Sequence, residues 1–67
     1  MLYRYDPDAD AAYLRLTDGE VVDSEMVNPH VVLDYDADDR VIGIELLHVR
    51  KHLPDADPTR LEPEPAA

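Results

Sequence analysis

The chain has 67 residues, no cysteine, and a formal charge of −10 from 16 Asp and Glu against six Lys and Arg. A chain this short makes one small domain, and without disulfides such a fold leans on oligomerisation for stability. No segment approaches 20 apolar residues and no apolar N-terminal run is present, so the sequence predicts a cytoplasmic protein without a membrane span; its charge would repel a phosphate backbone, which argues against direct nucleic-acid binding.

Alternation of apolar and polar residues predominates. Leu2–Tyr5 (LYRY) and Ala12–Leu16 (AYLRL) flank the turn-forming stretch DPDAD and read as a β-hairpin. An even-length turn there sets Tyr3 and Tyr5 opposite Leu14 and Ala12, with Tyr13 and Arg15 on the other face. The linker Thr17–Pro29 carries a turn at Asp18-Gly19, and Glu20–Met26 forms a short strand or stays irregular. Pro29 leads into the next strand, where its missing N–H is tolerated.

His30–Tyr35 (HVVLDY) and Arg40–Val49 (RVIGIELLHV) flank DADD as a second, longer hairpin. With an even-length loop, Leu33 faces Ile42 and Val31 faces Ile44 on one face. Val32 with Gly43, Asp34 with Val41, and His30 with Glu45 then share the other. A helical turn through VRKHL follows and ends at Pro54. From Pro54 onward the sequence holds four of the six prolines and few apolar residues, the composition of a segment that cannot offset its ordering entropy. The expectation is a mainly β fold: two antiparallel β-hairpins forming a small sheet, a short C-terminal helical turn and a disordered tail. Residues 1–53 are the single domain and residues 54–67 a flexible acidic, proline-rich tail.

The stretch DYDADDRVIGIE has the ligand spacing of a calcium loop, with Asp34, Asp36, Asp38 and Glu45 at positions one, three, five and twelve. Position six of such a loop needs glycine and here is Asp39, and both flanks are strand-like where the motif needs helices. On a strand rising about 3.4 Å per residue, Glu45 lies too far from the turn to close a cage. A looser cation site would need the aspartates of both turns, Asp6, Asp8 and Asp10 with Asp36, Asp38 and Asp39, to project from the same sheet edge. Asx side chains bonding their own backbone account for the same residues without an ion. His48 and His52 have the spacing of two zinc ligands on a helix, with His30 as a third, but His48 falls at a strand position. No metal or cofactor is therefore expected.

Catalysis has little support. Ser24 is the only serine and lies in the acidic linker without a glycine-framed elbow. A thin sheet leaves little room for a pocket of about 300 Å³ in which a carboxyl could be desolvated. The face bearing Tyr13 and Arg15 is half apolar and needs a cover, which predicts a homodimer. Opposite fields steer association, so a basic protein is the favoured partner class.

Two stretches also resemble a known family. YDPDADAAYLRL is similar to the opening signature of the short bacterial proteins of domain of unknown function 2283, and VVLDYDADDRVIGIELL to their second. The resemblance covers roughly residues 3–53, and the family pattern usually has glycine where this chain has Asp39. It implies no activity and no catalytic residues. It does imply membership of small two-gene modules beside a compact basic protein of the ribonuclease-toxin type, with this chain as the neutralising partner. The resulting expectation is a non-enzymatic interaction protein, antitoxin-like, using Asp36, Asp38, Asp39 and Glu45 as an acidic contact surface and Tyr13 and Arg15 as anchors. The alternative is a small cation- or ligand-binding module built on the two aspartate turns.

Overall fold

The computed structural model describes residues 1–62; residues 63–67 of the expected tail lie outside it. Five strands, β1 (Leu2–Asp6), β2 (Ala11–Arg15), β3 (Asp23–Asn28), β4 (Val31–Tyr35) and β5 (Val41–Leu46), precede one helical turn, α1 (Val49–His52). They form a single sheet in the order β1-β2-β5-β4-β3, and every neighbouring pair is antiparallel. The fold is mainly β, as the alternation predicts. No helix among the described residues is long and apolar enough to cross a membrane.

The fifth strand departs from the two-hairpin expectation. Part of the acidic linker pairs with β4 from Asp23↔Tyr35 to Met26↔Val32, with a bulge before Asn28↔Val31. Without it, one side of β4 would present unpaired N–H and C=O groups along its length. The second unit is thus a three-stranded meander, and β3 takes the edge with all six residues exposed.

The first hairpin has the expected register, with Tyr3↔Leu14 and Tyr5↔Ala12. The second does not. Its pairs are Leu33↔Ile44, Val31↔Leu46, Val32↔Glu45 and Asp34↔Gly43, so each partner lies two residues beyond the expected one. The cause is an odd-length turn followed by a bulge. Asp39 N–H donates to Asp36 O at 3.1 Å and Asp36 N–H to Arg40 O at 3.0 Å, and Asp39 adopts a left-handed backbone with φ 60°. This is the three-residue hairpin loop that places an αL residue last, where glycine is usual. It shifts the register by one and would invert the faces. The irregularity at Asp34/Tyr35, with Tyr35 paired to Val41 and Ile42 as the extra residue, shifts it once more and restores them.

Ala12↔Leu46 and Leu14↔Ile44 join the two units through β2 and β5. One face of the sheet therefore gathers Tyr3, Tyr5, Ala12, Leu14, Val31, Leu33, Ile44 and Leu46. The chain's own C-terminal segment lies on this face. Val49 is buried and donates its N–H to Asp10 O, and the Tyr3 hydroxyl donates to Pro58 O at 2.5 Å. Contact with the sheet thus continues past residue 53, to a buried Pro58. α1 is a single turn, entered through His48 with φ 55° and followed by Pro54. Ala12, Ile42 and Val49 are the buried large or small apolar side chains of the core, which is thin even for a domain of this size.

Candidate functional site

The opposite face has no covering segment among the described residues, and the register arranges its side chains in two rows. Arg4, Tyr13, Glu45, Val32 and Met26 form one row across β1-β2-β5-β4-β3, and Leu2, Arg15, Gly43, Asp34 and Ser24 form the next. Tyr13 is the centre of this surface. Its hydroxyl reaches from β2 across β5 and donates to Asp34 Oδ2 on β4 at 2.9 Å.

Gly43 permits that crossing. It pairs with Arg15 on one side and Asp34 on the other, and is itself buried. A Cβ placed there would lie 2.9 Å from Tyr13 Cζ and 3.1 Å from Asp34 Oδ2, and would collide with the hydroxyl. The ring lies in the space that the missing side chain leaves. Ser24 Oγ on β3 completes the carboxylate by donating to Asp34 Oδ1 at 2.7 Å. Arg15 Nη1 donates to the Tyr13 hydroxyl at 3.2 Å, while its Nε and Nη2 donate to the carbonyls of Thr17 and Gly19. The Arg4 guanidinium stands 5.5 Å from the centre of the Tyr13 ring, a cation–π distance.

Three strands, β2, β4 and β3, are thereby linked across β5 by one polar chain, Arg15–Tyr13–Asp34–Ser24. Around it lies an open groove of about 690 Å³ lined by Leu2, Arg4, Tyr13, Arg15, Asp34 and Glu45. Leu2, which lines the groove, is 73% exposed, and Met26, in the Tyr13 row at the far edge strand, is 61% exposed, so apolar area shares the face with a preorganised tyrosine. Such a surface is suited to contact. It holds a rigid aromatic ring with its hydroxyl already satisfied, the kind of anchor that costs little to order on binding.

Over residues 2–50 the chain matches the family described as Protein of unknown function (DUF2283). The chain belongs to this family. No curated protein and no solved structure matches it. The matched segment spans all five strands and every residue of the Tyr13–Asp34 arrangement, so the open face is part of the DUF2283 domain itself.

Within the DUF2283 domain the six residues expected at a contact surface fall into two groups. Tyr13, Arg15 and Glu45 share the open groove. Asp36, Asp38 and Asp39 occupy the β4–β5 turn, and there their roles differ. Asp36 is only 7% exposed; its Oδ1 accepts from the Asp38 and Arg40 N–H groups and its Oδ2 from Arg40 Nε at 2.8 Å. The Arg40 N–H, then the Asp38 N–H and the Arg40 guanidinium, hold its carboxyl below the usual carboxylate range, while burial acts the other way. Its oxygens are committed to closing the turn. Asp38, 3.5 Å from Arg40 Nη2, and Asp39 remain exposed.

The aspartate turns do not meet. The β1–β2 turn lies at the end of the sheet where Asp6 pairs with Ala11, and the β4–β5 turn at the end where Arg15 pairs with Gly43. A cation bridging them, as the alternative reading required, has no geometry in this fold. Glu45 pairs with Tyr13 and Val32 in mid-strand, away from the turn aspartates. His30, His48 and His52 do converge, but His30 and His52 stack with ring centres 4.0 Å apart, and parallel rings cannot point their lone pairs at one ion. No group of three or more His, Asp or Glu among the described residues is arranged to hold a metal ion.

Sequence reasoning placed Asp34 and Gly43 on one face but neither paired them nor joined them to Tyr13, and it missed Arg4 and Ser24 as parts of that surface. A usable signal was present. A lone glycine within the β-branched run VIGIE marks a place where something approaches the backbone closely. Asp34 pairs with Gly43 in the true register, and not in one displaced by two residues.

Proposed function

We propose that this protein is a non-enzymatic interaction module of the antitoxin type, which docks a compact basic protein on its open sheet face. The observation that carries this reading is the Tyr13 ring pinned over Gly43 by Asp34, an ordered aromatic anchor on a face left uncovered by the described chain. Glu45 within the groove and Asp38, Asp39, Asp18 and Glu20 on the exposed loops at its lower end supply negative charge beside the anchor. Charge of that sign speeds encounter with a basic surface and selects its orientation, while the tyrosine and the exposed Leu2 in the same groove carry the affinity.

The test is co-expression with the protein encoded next door, followed by pull-down and a growth assay. Tyr13→Ala should abolish capture, and Asp38→Asn with Asp39→Asn should slow association and weaken its salt dependence. Full capture by a folded Tyr13→Ala variant would sink the assignment of the face.

A second reading concerns the homodimer, and one observation favours it. Arg4 and Arg15 lie on β1 and β2, while Glu45 and Asp34 lie on β5 and β4. A two-fold axis along the strands between β2 and β5 would lay the basic half of one copy over the acidic half of the other, which is the self-complementarity an isologous contact needs. Light scattering across a concentration series distinguishes the two readings. A dimer that dissociates when Arg4 and Arg15 are both changed to Glu supports self-association, and a monomer at every concentration leaves the face to the basic partner.

A further inference from the structure

The chain's three histidines come from three different places and meet at one. His30 follows Pro29 in the β3–β4 turn, His48 precedes α1, and His52 ends it. His30 and His52 stack at 4.0 Å with their planes 15° apart, and His48 meets His30 edge-on at 5.7 Å. The surrounding space is lined by Asn28, Pro29, Val31, Leu46, Leu47, Val49 and Leu53. His30 Nδ1 is buried there with no hydrogen-bond partner among the described residues.

We propose that these histidines form a pH-operated latch, which holds α1 and the segment after it against the sheet and releases them on mild acidification. The stack is the contact between the end of α1 and the turn that begins β4, and it joins aromatic surface to aromatic surface as long as both rings are neutral. A proton on His30 Nδ1 would put a charge on a buried nitrogen that has no hydrogen-bond partner among the described residues, beside a second titratable ring. No carboxylate among the described residues lines the space. The groups that face His30 are His52 and His48, and α1 adds the cations Arg50 and Lys51. Asp10 is the carboxylate that touches α1, and its oxygens are taken by the Tyr5 hydroxyl and the Arg50 N–H.

The direction of the response follows. Burial first, then the charges of His52 and His48, hold the docked His30 below its ordinary value, and a contact with the Leu47 backbone opposes them. A released His30 titrates near the usual value of about 6.5. The docked state is therefore fully favoured above about 6.5 and loses ground as pH falls from there through the lower docked value. The sheet itself is held by its backbone ladder and has no share in this titration. His48, with its left-handed φ of 55°, is the hinge that already carries the chain out of β5 at a sharp angle.

Amide protection factors of the full chain, measured by NMR at about pH 7.5 and about pH 5.5, test the latch. The His52 and Leu53 amides, which donate to His48 O and Val49 O, should lose protection several-fold at the lower pH. The Leu16 amide, which donates to Ile42 O inside the sheet, should keep it. His30→Phe preserves the stack without the proton and should hold α1 closed at both values. Should that variant fail to fold, His52→Phe removes the charge of one partner but leaves the buried His30, and should reduce the pH-dependent loss of protection without abolishing it. The proposal is overturned if wild-type protection of α1 does not change with pH, if the Phe variant that folds loses it equally, or if Leu16 opens together with α1.

Discussion

The two faces of this sheet both use tyrosine, to opposite ends. On the covered face Tyr3 and Tyr5 direct their hydroxyls outward from the sheet, to Pro58 O and to Asp10, and so fasten the chain's own C-terminal segment and first turn. On the open face Tyr13 lies flat across β5 and spends its hydroxyl on Asp34 within the sheet. The first arrangement closes a face with chain, and the second leaves a face free while keeping its side chains fixed. The difference rests on Gly43, because a side chain there would force the Tyr13 ring off the sheet. A domain too small for a thick core can thus still determine which of its surfaces stays available.

The strongest way to break this contrast is Gly43→Val. Forcing a branched side chain under the ring combines overpacking with loss of the Tyr13–Asp34 bond, and should lower stability by roughly 3 kcal/mol in urea titration. In a Tyr13→Ala background the same change should cost clearly less, and the double-mutant cycle measures how far ring and glycine depend on each other. Additivity of the two substitutions would mean that the ring does not require the glycine.

Next in size is Tyr13→Phe, which keeps the ring and removes the hydroxyl that serves Asp34 and Arg15. A hydrogen bond to a charged acceptor is worth about 1.5–3 kcal/mol, and Ser24 still serves the other carboxylate oxygen, so a loss near about 1.5 kcal/mol is expected. Tyr3→Phe on the covered face should cost about 1 kcal/mol, because Pro58 O is a neutral acceptor. That second loss should vanish in a chain cut after residue 53, whereas the cost of Tyr13→Phe should persist there. This pair of thermal melts separates a tyrosine that fastens a segment from one that organises a surface.

Much of this was legible in the residues. Alternation gave the strands, and the Tyr3↔Leu14 and Tyr5↔Ala12 pairs followed from turn parity. The division of β4 and β5 into faces was also right, although its register was not. Parity sees only odd against even, and the odd turn at Asp36–Arg40 and the extra Ile42 cancel within it. Strand β3 was harder to see, since an edge strand with no buried residue has no reason to show a hydrophobic pattern. The Tyr13–Asp34 contact joins residues 21 apart in sequence across an intervening strand, and depends on the register that parity leaves open.

A smaller effect compares the two turns under acid. Asp10 is held below the usual range first by the Tyr5 hydroxyl and then by the Arg50 N–H, and Asp36 first by the Arg40 N–H. Both carboxylates therefore contribute stability that is present above the ordinary value of about 3.9 and is lost as pH falls through their depressed values. Melting midpoints should fall on going below about pH 4, and Asp36→Asn should flatten that part of the profile. A profile equally steep in the variant would assign the acid response to the other carboxylates.

The smallest effect has the sharpest sign. Asp10 and Asp39 share a left-handed backbone, with φ 53° and 60°, and each ends an acidic turn after a strand with tyrosine at one of its last two positions. At Asp39 no side-chain bond is formed among the described residues, and two further carboxylates crowd the same turn. Glycine there removes the steric cost of the left-handed conformation and one charge, and gives back part of the gain as backbone entropy, so Asp39→Gly should stabilise by a few tenths of a kcal/mol, on the order of 0.3. Asp10→Gly relieves the same backbone but frees the Tyr5 hydroxyl and the Arg50 N–H, and should destabilise. If both substitutions stabilise, the backbone alone governs these turns, and the Asp10 carboxylate contributes little to seating α1. If both destabilise, the Asp39 side chain is making a contact of its own, and the acidic turn below the open face is more than a solvent-exposed rim.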